Sequence, residues 1–157
     1  MGEEIVKYFK LSKNCGTEDE DCGSAKIYFN LYTNDEAYNW LGSPYVYKFI
    51  TLDGMSWAVS VAGDCIEAWH GQSMFGGVIN LNLQLCGVAQ VDINGMKPPN
   101  RYGRDFFSFY ITNGNGPLLV PWGSTKIGED WEWSCGQNFQ DDFCTARVIE
   151  EGWKMNY

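Results

Sequence analysis

The sequence predicts an α+β domain: a short N-terminal helix packed on an antiparallel β-sheet, with a second short helix at the C-terminus and loops closed by disulfides. Three observations lead there. A helical stripe at residues 3–11 precedes any strand signal. A run of β-rich segments separated by Gly, Pro, Asn and Asp then fills the middle of the chain, and a second helical pattern follows near residue 142. Six cysteines stand at 15, 22, 65, 86, 135 and 144, an even number in a chain of 157 residues.

The first element is Glu3-Glu-Ile-Val-Lys-Tyr-Phe-Lys-Leu11. Ile5, Tyr8 and Phe9 fall at i, i+3 and i+4, which predicts one apolar helical face. Glu3 and Glu4 suit its positive N-terminal end and Lys10 its C-terminal end. So short a helix is marginal alone, so it must dock or continue a longer one. The polar, acidic segment from Ser12 to Ser24 reads as a loop closed by Cys15 and Cys22. A small helix is expected at 35–41.

Tyr45 to Leu52 is rich in Tyr, Val, Phe and Ile and predicts a strand. Asp53-Gly54 predicts a two-residue type I′ hairpin, with Met55 to Val61 returning antiparallel. Further strands are expected at 77–86, 88–93, 105–112 and 117–120, the last two joined by Asn113-Gly-Asn-Gly116. Pro117 and Pro121 bracket the last strand, which places it at an edge. Asp141 is the candidate N-cap of a helix from 142 to about 151, ended by Gly152.

The length suits one domain spanning residues 1–157. The net charge is −9. A nucleic-acid binder needs a basic face, so that class is excluded, and anionic membrane surfaces are expected to repel the chain. The cysteines predict disulfides and an oxidising setting, extracellular, at a cell surface or periplasmic. Many pairings are formally open, and proximity in sequence favours 15–22, 65–86 and 135–144. No run is apolar enough to span a bilayer, and no secretory signal is present. The expected resolution is a trimmed ectodomain in which Met1, with Gly2, is an added start.

The chemistry-bearing residues are few. His70 is the only histidine, and Gly71-Gln-Ser-Met-Phe75 departs from the nucleophile elbow because Phe stands where the second Gly belongs. Paired cysteines leave no thiolate nucleophile. The chain is therefore expected not to be an enzyme. Asp92-x-Asn94-Gly95 has the start of a calcium loop, and Asn100 and Asp105 add hard oxygen ligands. The twelfth position from Asp92 is Gly103, where a bidentate Glu belongs, so turn formation by these side chains competes with calcium. No other cofactor is expected. Seven tryptophans and nine tyrosines offer ring faces for a glycan or other surface ligand, against their ordinary use in a core.

The stretch Val91-Asp-Ile-Asn-Gly-Met-Lys-Pro-Pro-Asn-Arg-Tyr-Gly-Arg-Asp-Phe-Phe107 resembles a motif of bacterial prepilin-type proteins, the type IV pilins and type II secretion pseudopilins. Asp92, Asn94, Gly95, Pro99, Asn100, Gly103, Asp105 and Phe107 are the matching positions. Pro121-Trp-Gly123, Leu52-Asp-Gly-Met-Ser56, Lys7 to Cys15 and Cys144 to Tyr157 resemble further family segments in the same order. Pro98 departs from the family, which often has a small residue there, and the family's long apolar N-terminal helix is missing. The resemblance implies a pilin-like head domain: a helix, here truncated, packed on an antiparallel sheet. It implies a structural subunit of a pilus or secretion pseudopilus, with other pilin or pseudopilin subunits as partners. Membrane attachment would come only through the missing helix. Some pseudopilins bind calcium in a C-terminal loop.

Overall fold

A computed structural model of the chain describes residues 2–17, 22, 28–29, 36–37, 45–67, 84–95, 97–113, 119–124, 135 and 144–155. Its organising element is a six-stranded antiparallel sheet. The strands are β1 (Leu11–Gly16), β4 (Tyr47–Thr51), β5 (Ser56–Glu67), β6 (Gln84–Asp92), β7 (Phe106–Asn113) and β8 (Leu119–Pro121), in that spatial order. From β4 to β8 each strand pairs with the next in sequence. β1 adds itself outside β4. A separate pair joins β2 (Tyr28–Phe29) to β3 (Glu36–Ala37).

The helix-on-sheet pilin architecture is not what forms. The expected helix at 3–11 is only α1 (Gly2–Val6), and its last turn is closed by Tyr8 N–H to Ile5 O and Phe9 N–H to Val6 O. By Leu11 the chain has entered the sheet, where Leu11 pairs with Thr51. Five residues cannot hold a helix by themselves, and strand pairing with β4 takes over the backbone groups. Tyr8, expected on the buried stripe, is 90% exposed, while Val6 is buried. The second helix, α2 (Cys144–Glu150), has seven residues. Both described helices are short covers on a sheet that carries the core, and among the described residues no helical spine organises the domain.

Three smaller expectations also change. Residues Glu36 and Ala37 are strand, where a helix was expected at 35–41. Segments 77–86 and 88–93 were read as two strands around Gly87. Within the described residues they are one strand, because Gly87 sits inside a bulge that tightens the β5–β6 pairing: a Cβ there would lie 2.1 Å from Ser60 O. The β4–β5 turn is a three-residue connection and not type I′. Thr51 N–H donates to Met55 O, Gly54 N–H donates to Thr51 O, and only Gly54 has positive φ (88°).

Register decides which side chains meet. Tyr47 pairs with Val59, and Phe49 with Trp57. Val59 pairs with Ala89, and Trp57 with Val91, which in turn faces Phe107. These residues share one face. α1 covers part of it, with Val6 against Phe49, Val59 and Ala89. Phe9 stands 5.0 Å from the Phe49 ring and 5.3 Å from Trp57. α2 covers the next part, with Val148 against Val91 and Phe107. The opposite face carries Val46, Ala58, Tyr102 and Phe106 in one cluster. It also buries polar groups, among them Lys48, Gln90, Asp92 and Ser108. Gln90 donates to Ser108 Oγ (3.1 Å) and to Tyr102 Oη (3.5 Å), which keeps that face specific as well as dry.

α2 is tied to the sheet by two hydrogen bonds where β8 ends. Ser108 N–H donates to Thr145 Oγ1 (2.9 Å) and Ala146 N–H to Trp122 O (2.9 Å). Thr145→Val is therefore expected to destabilise by about 1–2 kcal/mol, because it leaves a buried backbone donor unpaired at equal side-chain volume. A urea midpoint unchanged from wild type would contradict that.

The disulfides pair as proximity favoured: Cys15–Cys22, Cys65–Cys86 and Cys135–Cys144. This framework belongs to an oxidising, extracellular or periplasmic environment. Among the described residues, no helix is long and apolar enough to cross a membrane.

Candidate functional site

The motif residues meet at the end of the sheet where β6 turns into β7. Asp92 closes β6 and is fully buried, and its Oδ1 accepts the Asn94 N–H at 3.2 Å. Gly95 N–H donates to Asp92 O (3.3 Å), so Asp92 nucleates a tight turn. Gly95 takes φ +66°, and a Cβ there would stand 2.4 Å from Gly54 O. The glycine is thus required twice, by its backbone conformation and by the contact between this turn and the β4–β5 turn. Gly95→Ala is expected to cost about 2–3 kcal/mol. A thermal midpoint within a degree of wild type would show that the two turns need not touch.

Pro99 follows a cis bond from Pro98, Asn100 has φ 53° and Gly103 has φ 72°. The left-handed backbone at Asn100 and Gly103 accompanies the return of Asn100 and Arg101 to Asp105, which is 4% exposed. Its Oδ2 accepts from Asn100 N–H (2.7 Å) and Asn94 Nδ2 (3.0 Å), and its Oδ1 accepts from Arg101 N–H. Its own carbonyl takes the Ile93 N–H (2.8 Å). A buried carboxylate with three donors is a strong local organiser, because each bond is charge-assisted and removed from water. Tyr102 and Phe106, in edge-to-face contact at 4.7 Å, anchor the loop over the sheet. Phe107 is buried against Val91 and Val148 on the other face.

Of the four expected calcium ligands, the structure brings Asn94 and Asp105 into direct contact. Asn94 turns its amide NH2, not its oxygen, toward that carboxylate, and Asn100 contributes its backbone N–H. Asp92 serves the turn at Asn94. The oxygens of the set therefore do not converge on one point, and calcium would have to displace the Asn100 and Arg101 amides from Asp105. One atom favours a ligand: Asn94 Oδ1 is buried and has no hydrogen-bond partner among the described residues. No group of three His, Cys, Asp or Glu side chains gathers among those residues.

Other candidates fall differently. His70 and Ser73 lie outside the described residues, as do Trp131 and Trp133. Trp122 is 8% exposed and stacks on Tyr110 at 5.3 Å, a core use of the ring. Trp57 packs between the α1 and α2 clusters. Among the described residues, the exposed large rings are Tyr8, Tyr45 and Trp153. Sequence reasoning counted Asp105 among the turn formers but did not identify which groups it holds; an Asp four and five residues after Arg101 and Asn100 is a usable signal for accepting their amides. Comparison of the chain with protein-family models, with curated proteins and with solved structures returns no match.

Proposed function

We infer that the chain is an exported structural domain that acts by shape and assembly and not by catalysis, in a surface filament or pseudopilus of the prepilin type. The helix-on-sheet architecture no longer supports this reading. It rests on the ordered residue resemblance, on the disulfides and, above all, on one observation: the polar atoms of segment 92–105 hold its own backbone. Asp105 accepts from Asn94, Asn100 and Arg101, so the motif builds a rigid loop on the end of a stiff sheet.

The test is the upstream coding sequence. The reading expects a leader-peptidase site and roughly 20 apolar residues encoded before Glu3. A natural start at Met1, or a catalytic domain upstream, would overturn it. Calcium is tested separately by melting the protein in millimolar calcium and in chelator, since a ligand that binds only the native state raises the midpoint. Equal midpoints remove the metal.

Exposure of Tyr45 (85%) and Trp153 (68%) favours a second reading, a glycan-binding module. Tyr45 precedes β4, whereas Trp153 follows α2, with its N–H on Val148 O. A glycan array with no hit for the wild-type domain would close this reading.

A further inference from the structure

We propose that Asn94-Gly95 is a self-modification site: Asn94 loses its amide through a succinimide when the β6–β7 loop opens, and the closed loop holds that reaction off. The site stands independently of the filament reading. Its starting point is the dipeptide itself. Gly95 has no Cβ to shield its backbone nitrogen, so an Asn-Gly pair puts little in the way of ring closure.

The chemistry needs only the chain and water. The Gly95 backbone nitrogen attacks Asn94 Cγ and gives up its proton as the new N–C bond forms. Oδ1 carries the negative charge of the tetrahedral intermediate. The Cγ–Nδ2 bond then breaks, and Nδ2 leaves as ammonia. Water opens the ring at either carbonyl. One opening gives aspartate, and the other gives isoaspartate, with the backbone rerouted through the side chain. Nothing is oxidised or reduced.

The closed loop opposes each part of that step. The nucleophile is engaged, because Gly95 N–H donates to Asp92 O at 3.3 Å. The leaving group is held, because Asn94 Nδ2 donates to Asp105 Oδ2 at 3.0 Å and to Pro98 O at 3.5 Å. The developing oxyanion has no support: Asn94 Oδ1 is buried and no donor reaches it among the described residues. The buried carboxylates of Asp92 and Asp105 lie beside it and disfavour further negative charge. Gly95 is also fixed in place, since its φ is +66° and a Cβ there would stand 2.4 Å from Gly54 O. Opening of the loop releases all of these restraints together.

The product does not fit back. Aspartate at 94 sets an acceptor against Asp105 Oδ2 where Nδ2 donated, and the two groups carry like charge. Isoaspartate adds a backbone atom just before Gly95, where the contact with Gly54 O leaves no slack. One opening event is thus recorded as a lasting loosening of the loop.

The experiment incubates the whole chain in mildly alkaline buffer, with and without guanidinium chloride, and follows each Asn-Gly pair by mass spectrometric peptide mapping. In guanidinium, Asn94 is expected to convert at a rate similar to Asn113 and Asn115, which also precede glycine. In buffer, Asn94 is expected to convert at least roughly 30-fold more slowly than in guanidinium. Asp105→Ala, held below its melting midpoint with its strand dichroism intact, is expected to speed Asn94 conversion at least roughly 10-fold. Asp105→Asn takes its place if the alanine variant loses that signal. Asn94→Asp is expected to lower the melting midpoint by roughly 5 °C. Equal rates at Asn94 in buffer and in guanidinium overturn the proposal. So does a folded Asp105 variant in which Asn94 is as slow as in wild type, or an Asn94→Asp protein that melts with wild type.

Discussion

Asp105→Ala is expected to lower the melting midpoint by roughly 10 °C. The substitution strips three donors of their acceptor at once: the amides of Asn100 and Arg101 and the side chain of Asn94. The site is buried, so water cannot replace the carboxylate without opening the loop. Charge-assisted bonds of this kind contribute about 1.5–3 kcal/mol each, and part of the loss is recovered by relaxation, so a net of about 4 kcal/mol is expected. For a chain of this size each kcal/mol moves the midpoint by about 2–4 °C. Asp105→Asn is expected to fall between alanine and wild type, because it keeps one acceptor and sets an NH2 against a donor. Calorimetry distinguishes the three proteins. A shift under about 2 °C for the alanine variant would mean that the loop is held by its strand ends and not by this side chain.

Full reduction of the three disulfides is expected to unfold the domain at room temperature. The bridges join residues separated by 7, 21 and 9 positions. On the chain-entropy account each stabilises by roughly 2.5–3.5 kcal/mol, the longest loop most. Their sum is comparable with the whole net stability of about 5–15 kcal/mol typical of a domain. Cys65–Cys86 also staples β5 to β6 beside the register shift between Val61 and Ile66, where the ladder is interrupted. Replacing that pair with alanines is expected to lower the midpoint more than replacing either other pair. Circular dichroism before and after reduction tests the first claim: a reduced protein that keeps its strand signal and a cooperative melt would refute it. Before reduction, titration of the unfolded chain should find no free thiol, since no cysteine is free.

Much of the sheet was legible because strand periodicity is local. Tyr47–Thr51 and Phe106–Asn113 are dense in β-branched and aromatic residues, and Pro117 and Pro121 marked an edge where β8 indeed ends the sheet. The N-terminal helix was misjudged because its stripe rests on three residues. Whether such a segment stays helical is decided by its neighbours, and here the LSKNCG strand finds β4. The resemblance added a long-helix architecture that the geometry does not contain.

The motif was legible as a turn builder. Asp92, Gly95, Asn100 and Gly103 are residue types that bend or cap backbone, and they do so. What was not legible was the direction of each polar atom. Whether Asn94 offers oxygen or NH2 to Asp105 depends on where residues 98–101 return, a non-local matter.

The sequence by itself determined the compartment chemistry, the disulfide pairing that proximity favoured, the β-rich centre and the positions where only glycine or a turn former fits. These follow from local sterics and short loop closure. The tertiary structure alone decided that the sheet and not a helix organises the described part of the domain, and that Asp105 holds three donors. Those outcomes depend on strand register and chain reversal, which bring together residues that no local pattern connects.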